Sequence, residues 1–185
     1  TEDVYTFAFS YTNDKEAKQT FKHTFKNERV TAKISLQKQD KETKKAVPQG
    51  DATLEKAVYG LYAREDIVHS DGATGVVYKA GEQVATLTTD KDGQASVDGL
   101  YLGNYYVKEI TPPTGYLADE EEHDLVCNYE GDLVAEVKRE CLSLEQVMKQ
   151  PFQIIKAANN GKTDADLLKG AGFTAYPVSY THLRA

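Results

Sequence analysis

The amino-acid sequence predicts an all-β protein folded as a β-sandwich, and two observations carry this prediction. Short runs in which apolar and polar residues alternate recur along the 185-residue chain, with turn-forming residues between them, which is typical of sandwiches and barrels. The composition agrees, because the chain has 12 Tyr and no Trp, and Tyr, Thr and Val fit the pleated, half-buried surface of a strand.

The predicted strands follow one another at short intervals. In chain order they cover residues 30–36, 57–63, 83–89, 94–97, 105–110, 124–129 and 133–138. The polar segments 40–51 and 66–75 are predicted as loops, and Asp92-Gly93 is predicted as a hairpin turn. Pro112-Pro113 ends the strand before it, because proline donates no hydrogen bond to a sheet. Residues 143–149 carry a weak helix-capping signal and predict one helical turn.

The chain also repeats itself, and the repeats define its predicted organisation. Residues 25–30 resemble residues 137–142, and residues 34–38 resemble residues 152–156, with a period of about one small domain. The predicted units are the C-terminal strands of a preceding repeat (1–29), one complete repeat (30–149), the N-terminal strands of a following repeat (150–176) and a tail (177–185). The tail resembles translated sequencing-adapter sequence and is interpreted as an artefact.

Composition and charge argue against several classes of function. The formal net charge of −7 argues against a nucleic-acid partner, which needs a basic surface. No apolar run approaches the length that crosses a bilayer, so no membrane insertion is expected within this segment. The four histidines are scattered, and none lies in the motif of a Ser or Cys nucleophile, so no metabolic enzyme is expected.

No cofactor and no metal site are expected either. The run Asp90-Lys91-Asp92-Gly93 begins like a calcium loop but lacks the glycine and the glutamate that such loops carry at their sixth and twelfth positions. Cys127 and Cys141 are too few for a disulfide framework and lack the companions of a metal site. They are interpreted as two small apolar side chains, with a disulfide in an oxidising location as the open alternative.

Residues 105–116 carry the most specific motif of the chain. An apolar strand is followed by Glu109 and then by Pro113-Thr114-Gly115-Tyr116. This order resembles the pattern of Cna B-type domains, also called SpaA-like or prealbumin-like domains, of Gram-positive pilins and adhesins. Segments that support the resemblance, which covers most of residues 1–176, are 36–40, 88–93, 99–105 and 170–173. It implies an Ig-like, prealbumin-like β-sandwich in an extracellular, cell-wall-anchored protein whose anchor lies outside this segment.

The resemblance also implies a chemistry, because many members of this family form a spontaneous isopeptide bond. A lysine on the first strand attacks an Asn or Asp side chain on the last strand, and a glutamate between them shuttles the proton. Lys38 is in phase with Ile34 and Leu36 and is therefore expected to point inward, where burial favours the neutral, nucleophilic amine. Glu109 is in phase with Val107 and is the expected proton shuttle.

The sequence leaves the identity of the acceptor residue open. Asn27 of the preceding repeat aligns with Arg139 of the complete repeat, and an arginine cannot be acylated and stays charged. In one hypothesis Asn128 or Asp124 on the neighbouring strand takes the acceptor role. In the other, which the sequence favours, no bond forms and Arg139 joins the lysine and the glutamate in a buried polar cluster. Asn27 and Lys156 are the candidate bond residues of the two partial repeats.

The leading functional hypothesis is a structural stalk repeat that spaces an adhesive tip from the cell wall, with neighbouring repeats of the same chain as its partners. The alternative is an adhesin module in which the loops 40–51 or 66–75 bind a host matrix protein or glycan. No enzymatic activity is expected beyond autocatalytic formation of the isopeptide bond.

Overall fold

The computed structural model describes residues 6–8, 22, 24, 28–151, 153–154, 170 and 172–174. Within these residues the chain forms nine strands and no helix, which confirms the predicted all-β class. The strands are β1 (Thr31–Asp40), β2 (Val58–Ala63), β3 (Ile67–Val68), β4 (Val76–Tyr78), β5 (Gln83–Thr88), β6 (Gln94–Leu100), β7 (Gly103–Thr111), β8 (Glu122–Cys127) and β9 (Glu136–Glu145). No described helix is therefore long and apolar enough to cross a membrane. Most of the predicted partial repeats, and the tail 177–185, lie outside the described residues.

Two sheets make the sandwich. One has the strand order β6–β1–β9, and the other has the order β5–β2–β7–β8, while β3 and β4 form a separate small hairpin. All pairs in the second sheet are antiparallel. In the first sheet β1 is antiparallel to β6 but parallel to β9, so the first and last strands of the domain lie side by side and run in the same direction.

The strand β1 shows why these residues form a sandwich. Its side chains alternate between half-buried and buried along the whole of Thr31–Asp40, because successive side chains point to opposite faces of a sheet. The apolar ones on its inner face pack against the second sheet. The core between the sheets is formed by Ala32, Ile34, Leu36, Ala57, Tyr59, Leu61, Ala63, Ile67, Leu87, Leu100, Tyr105, Val107, Leu125, Cys127, Val137 and Cys141.

The last strand differs from the prediction at both of its ends. The predicted strand 133–138 begins later, at Glu136, and Leu133 is fully exposed in the preceding turn. The predicted helical turn 143–149 is wrong, because Ser143 and Glu145 belong to β9 and lie opposite Lys38 and Asp40 of β1. Pairing along a ten-residue neighbour outweighs the weak local capping signal of this segment.

Two predicted loops also differ in detail. The turn at Asp92-Gly93 exists, and Gly93 adopts a positive φ of 72°. It is not a hairpin, however, because it joins β5 of one sheet to β6 of the other. The predicted loop 66–75 contains the short strand β3, which pairs with β4.

Candidate functional site

A layer of polar side chains is buried at one end of the sandwich. It consists of Lys38, Tyr59, Glu109, Ser143 and Glu145, which we call the buried cluster. Each of these residues is at most 8 % exposed. Charged residues are almost never fully buried unless they are paired, so this layer is the part of the core where chemistry is expected.

Four strands from both sheets bring the buried cluster together. The alternation of β1 carries Lys38 to the inner face, in phase with the apolar Ile34 and Leu36. In the parallel ladder with β9, Lys38 lies opposite Ser143, and Glu145 follows two residues later on the same face. The second sheet contributes the other two members, since Tyr59 of β2 lies opposite Glu109 of β7.

The amine of Lys38 is the centre of the cluster. Its Nζ donates a hydrogen bond to Glu109 Oε1 at 3.0 Å and another to the hydroxyl of Tyr59 at 3.1 Å. The same Nζ is in close contact with Glu145 Oε1, so one amine meets two carboxyl groups. The rings of Tyr59 and Tyr116 lie 5.5 and 5.8 Å from Nζ and close the space around it.

The second carboxyl group, that of Glu145, is held by hydroxyls at one oxygen only. The Tyr59 hydroxyl donates to Glu145 Oε1 at 2.7 Å, and the Ser143 hydroxyl donates to the same oxygen at 3.4 Å. Glu145 Oε2 is buried and has no hydrogen-bond partner among the described residues. A buried carboxylate oxygen without a partner is rare in proteins and calls for an explanation.

Glu109 is fixed through both of its oxygens. Oε1 accepts from Lys38, and Oε2 accepts a hydrogen bond from the backbone N–H of Asp119 at 2.9 Å. Its side chain is 1 % exposed. The carboxyl group therefore faces the amine in a fixed orientation from the opposite sheet.

Burial governs the electrostatics of the site. It lowers the pKa of Lys38 from the ordinary value of 10.5, and this effect outweighs the attraction of Glu109 and Asp119, which acts in the opposite direction. Burial also raises the pKa of Tyr59 above its ordinary value of 10.0, so its hydroxyl keeps its proton and remains a donor. Burial therefore shifts the Lys38 side chain toward the neutral amine, compared with a lysine in water.

A second polar pair, Asp40 and Tyr116, lies beside the cluster at the end of β1. The Tyr116 hydroxyl donates to Asp40 Oδ2 at 3.1 Å, and Asp40 Oδ1 accepts from the backbone N–H groups of Glu42 and Thr43. Burial acts to raise the pKa of Asp40, but these bonds and one from Gln49 outweigh it, so the pKa is lowered. Burial and the Asp40 carboxylate raise the pKa of Tyr116 to about 12.

Arg139, predicted for the acceptor slot, is not part of the buried cluster. It lies opposite Ile34 in the ladder with β1, closer to the start of the strand than Lys38. Its side chain is 30 % exposed, and its guanidinium donates hydrogen bonds to the carbonyl of Val126 at 2.6 Å and to the carboxylate of Glu130 at 2.7 Å. The predicted polar cluster of Lys38, Glu109 and Arg139 is therefore corrected, because the register of β9 places Glu145 beside the amine instead.

The other predicted acceptors also lie away from the amine. Asp124 is on the outer face of β8, where its 68 % exposed side chain pairs with Arg64. Asn128 is exposed just beyond the end of β8, while Lys38 is fully buried. Asn27 and Lys156 lie outside the described residues.

Sequence reasoning missed Glu145, although a signal for it exists. The same number of residues separates Glu145 from Lys156 as separates Asn27 from Lys38. An alignment counted back from the lysine of each following repeat therefore puts Glu145, and not Arg139, at the position of Asn27. The prediction relied instead on the local likeness of residues 25–30 and 137–142.

The two cysteines and the acidic groups do not form a further site in the described part of the chain. Cys127 and Cys141 are both buried and unpaired, and burial raises the pKa of both thiols, that of Cys141 to about 12. Among the described residues, no three His, Cys, Asp or Glu side chains are arranged to hold a metal ion.

Comparison with known proteins assigns a family to this fold. Residues 32–140 match the SpaA family, described as a prealbumin-like fold domain, and this segment is more than half of the chain. It contains β1 except Thr31 and the first half of β9, with Lys38, Tyr59 and Glu109 inside it. No match was found among the curated proteins.

Several solved structures are similar to the chain. The TIE protein of Bacillus anthracis is 24 % identical, with a TM-score of 0.44, over 66 % of this chain and 18 % of that one. The pilus 2b backbone protein of group B streptococcus is 19 % identical, with a TM-score of 0.42, over 62 % and 40 %. A minor pilin of Streptococcus agalactiae is 21 % identical, with a TM-score of 0.43, over 69 % and 49 %. The matched region spans less than half of each of these proteins.

Proposed function

Because the chain belongs to the SpaA family of prealbumin-like fold domains, we propose that it is a structural, load-bearing module of a Gram-positive pilin-like surface protein. The proposal places the module outside the cell, in a wall-attached protein in which neighbouring modules of the same chain are its partners. The observation that carries it is the parallel pairing of the first and last strands of the domain.

This pairing sets how the domain responds to tension. The ladder runs without a register shift from Thr31 opposite Glu136 to Asp40 opposite Glu145. The chain therefore enters the domain at one end of the ladder and leaves it at the other. Tension along the chain must slide β1 past β9 and load all their hydrogen bonds together, whereas strands pulled apart from one end open one bond at a time.

The buried cluster adds a side-chain connection between β1 and β9, at the end of the ladder where the chain leaves the domain. Lys38 connects the first strand to Glu145 on the last strand and to Glu109 on the other sheet. An isopeptide bond from Lys38 to the last strand would carry the load directly between the two strands, so the intervening residues would be shielded from it. Both the ladder and this side-chain connection favour a role in resisting extension.

The test is single-molecule extension of the full chain in two pulling directions. Both are measured in a Lys38→Met background, which cannot form a lysine cross-link, so that the ladder alone is probed. One direction pulls the chain by its ends, and the other pulls between cysteines introduced as Lys41→Cys and Gln146→Cys, which lie at the same end of the ladder.

Pulling by the ends is expected to require a several-fold higher unfolding force than pulling between the introduced cysteines. An equal or lower force in the end-to-end direction would contradict the load-bearing role. The alternative of a host-ligand-binding module stays a prediction.

A further inference from the structure

The link between the predicted preceding repeat and the complete repeat is only three residues long. β9 ends at Glu145, and Asn27 holds the same position in the preceding repeat when both are counted back from the lysine that follows them. Because β1 begins at Thr31, only residues 28–30 remain between the two strands. Three fully extended residues cover roughly 11 Å, which is close to the spacing between two packed sheets. Two sandwiches joined by such a link lie end against end.

The middle residue of this link, Arg29, is fixed at the entry end of the sandwich, where β1 begins. Its guanidinium donates hydrogen bonds to the carbonyl of Leu100 at 3.2 Å and to the carbonyl of Gly99 at 2.9 Å. The same group lies over the ring of Tyr101, 3.9 Å from its centre. A planar guanidinium that both stacks and donates is held in one orientation. The chain therefore approaches β1 along a fixed path.

The corresponding segment 146–148 is fixed in a different way at the exit end, where β9 ends. The backbone N–H of Leu117 donates to the carbonyl of Gln146 at 2.9 Å, and the backbone N–H of Met148 donates to the carbonyl of Gly115 at 2.8 Å. These bonds use the main chain of the first and third residues, whereas the contacts at the entry end use the side chain of the middle residue. One link can therefore be held by both of the repeats that it joins.

An apolar cavity of about 220 Å³ opens at the entry end, directly beside the link. Val30, the last residue of the link, lines this cavity together with Val68, Leu102 and Tyr129. The side chains of Val68 and Tyr129 are more than half exposed. Exposed apolar side chains that gather at one place mark a contact surface. Since the chain before Val30 starts in the wall of the cavity, the preceding repeat is the partner that is always within reach.

The exit end carries an apolar surface as well. Val47, Leu117 and Met148 lie at this end, and each is at least half exposed. Met148 also lines a second cavity, of about 460 Å³, together with Ala52 and Gly115. Like the cavity at the entry end, it lies directly beside a link, here the one to the following residues. Each end of the sandwich thus combines an apolar surface with a short, fixed link.

We propose that the exit end of one repeat packs against the entry end of the next, and that the two apolar surfaces form a joint which holds consecutive repeats in one orientation. The occupant of each surface is the adjacent repeat of the same chain, because the link is too short to admit another body. The inference deepens the proposed function and rests on its statement that neighbouring modules are partners. A joint without a free hinge keeps the modules in line under tension.

The test uses the full chain with residues 28–145 duplicated in place, so that Glu145 of the first copy is followed directly by Glu28 of the second. This arrangement keeps Arg29 in the link between the copies, whereas residues 146–148 have a valine at its position. The backbone bonds of the exit end remain available, because they do not depend on the side chains of the link.

One nitroxide label is attached in each copy at Glu140→Cys, which is an exposed position on β9. The native Cys127 and Cys141 are buried and are not expected to react with the label. The distribution of distances between the two labels is then measured by pulsed electron paramagnetic resonance. Because both labels are attached to regular strands, the width of the distribution reports how the two copies move relative to each other.

A narrow distribution of label distances is expected, because the joint fixes one orientation. The reference is the same chain with Gly-Ser-Gly-Ser inserted between the two copies, since such a linker behaves as a flexible coil. The distribution of the reference is expected to be several-fold broader. A distribution without the insertion that is as broad as that of the reference would overturn the proposal.

Substitutions in one copy at a time separate the packing of the surfaces from the shortness of the link. Val68→Ser with Tyr129→Ser alters the entry surface, which lies in the joint between the copies only in the second copy. Val47→Ser with Leu117→Ser alters the exit surface, which lies in that joint only in the first copy. Each pair is expected to broaden the distribution several-fold in the copy where it faces the joint and to leave it unchanged in the other copy. Equal broadening in both copies, or none in either, would refute the packing of the two surfaces.

The outcome for the joint is independent of the outcome for the load-bearing role. A broad distribution together with a high end-to-end unfolding force in the Lys38→Met background removes the joint and leaves the load-bearing ladder intact. A narrow distribution that the facing substitutions broaden, together with a low end-to-end force in that background, does the reverse.

Discussion

In one group of charged side chains Lys38 meets Glu109 and Glu145, and in a second group Arg64 meets Glu122 and Asp124. The second group, which we call the surface cluster, lies on the outer face of the β5–β2–β7–β8 sheet. Its bonds are as short as those of the first, since Arg64 lies 2.9 Å from Glu122 and Lys38 lies 3.0 Å from Glu109. The difference is exposure, at most 1 % for the charged side chains of the buried cluster and 38–68 % for those of the surface cluster.

Equal geometry therefore does not mean equal energy. In the surface cluster water screens the charges, and each side chain finds solvent when its partner is removed. In the buried cluster removal of one partner leaves a charge in the core with nothing to compensate it. The same desolvation that makes the buried group costly also shifts the lysine toward the reactive amine, so stability and chemistry have one cause.

The largest loss in the free energy of unfolding is expected when the amine of Lys38 is removed. Lys38→Met leaves Glu109 and Glu145 in the core without it, and the free energy of unfolding should fall by at least about 3 kcal/mol. The measurement is urea denaturation of the full chain. A triple variant, Lys38→Met with Glu109→Leu and Glu145→Leu, removes all three charges and should regain much of the loss, because packed apolar side chains replace buried ion groups well.

These two variants separate charge from packing. If the buried cluster stabilises the fold only by filling space, Lys38→Met should lower the free energy of unfolding by less than about 1.5 kcal/mol, as a swap between side chains of similar volume does. A loss of that size, with no gain in the triple variant, would remove the contrast between the two clusters.

An intermediate effect is expected at Asp40, which is buried but bonded to several neutral donors. Asp40→Asn loses acceptor capacity toward Thr43 and Tyr116 and should lower the free energy of unfolding by about 2 kcal/mol at neutral pH. The fold lowers the pKa of Asp40 below its ordinary value of 3.8, so the carboxylate contributes stability above that pH. This contribution is lost as the pH falls through the lowered pKa.

The measurement is the free energy of unfolding of both chains as a function of pH. The difference between the original chain and Asp40→Asn should be constant above about pH 5, which lies above the ordinary pKa of an aspartate, and should narrow in more acidic solution. The exposed Asp51→Asn is the matched control and should show no such difference. A gap that stays constant down to the acid transition would show that the carboxylate of Asp40 is not the cause.

The sequence could predict which face these residues occupy but not which neighbours they meet. Alternation in β1 depends only on the backbone period of two, so Lys38 was expected to point inward, and it does. Glu109 was placed inward on β7 by the same argument. The fold class followed from the same alternation repeated along the chain.

Arg139 shows where this argument ends. The alternation along β9 correctly assigns Arg139 to the inner face of the strand. It does not determine the register, that is, which residue of the neighbouring strand lies opposite Arg139. The register is set by the pairing of β1 with β9, in which Arg139 lies opposite Ile34 and Ser143 lies opposite Lys38. Pairing between strands so distant in the chain depends on the packing of both sheets, which no local pattern in residues 143–149 records.

The smallest loss of stability is expected for a substitution in the surface cluster. Asp124→Asn removes one carboxylate from Arg64 but leaves the arginine bonded to Glu122 and stacked over the ring of Tyr106, 4.0 Å from its centre. The melting temperature should therefore change little at low salt and not measurably at high salt, because mobile ions screen exposed charges. Thermal denaturation of both chains at two salt concentrations tests this. A loss that matched that of Lys38→Met and persisted in high salt would show that exposure is not what separates the two clusters.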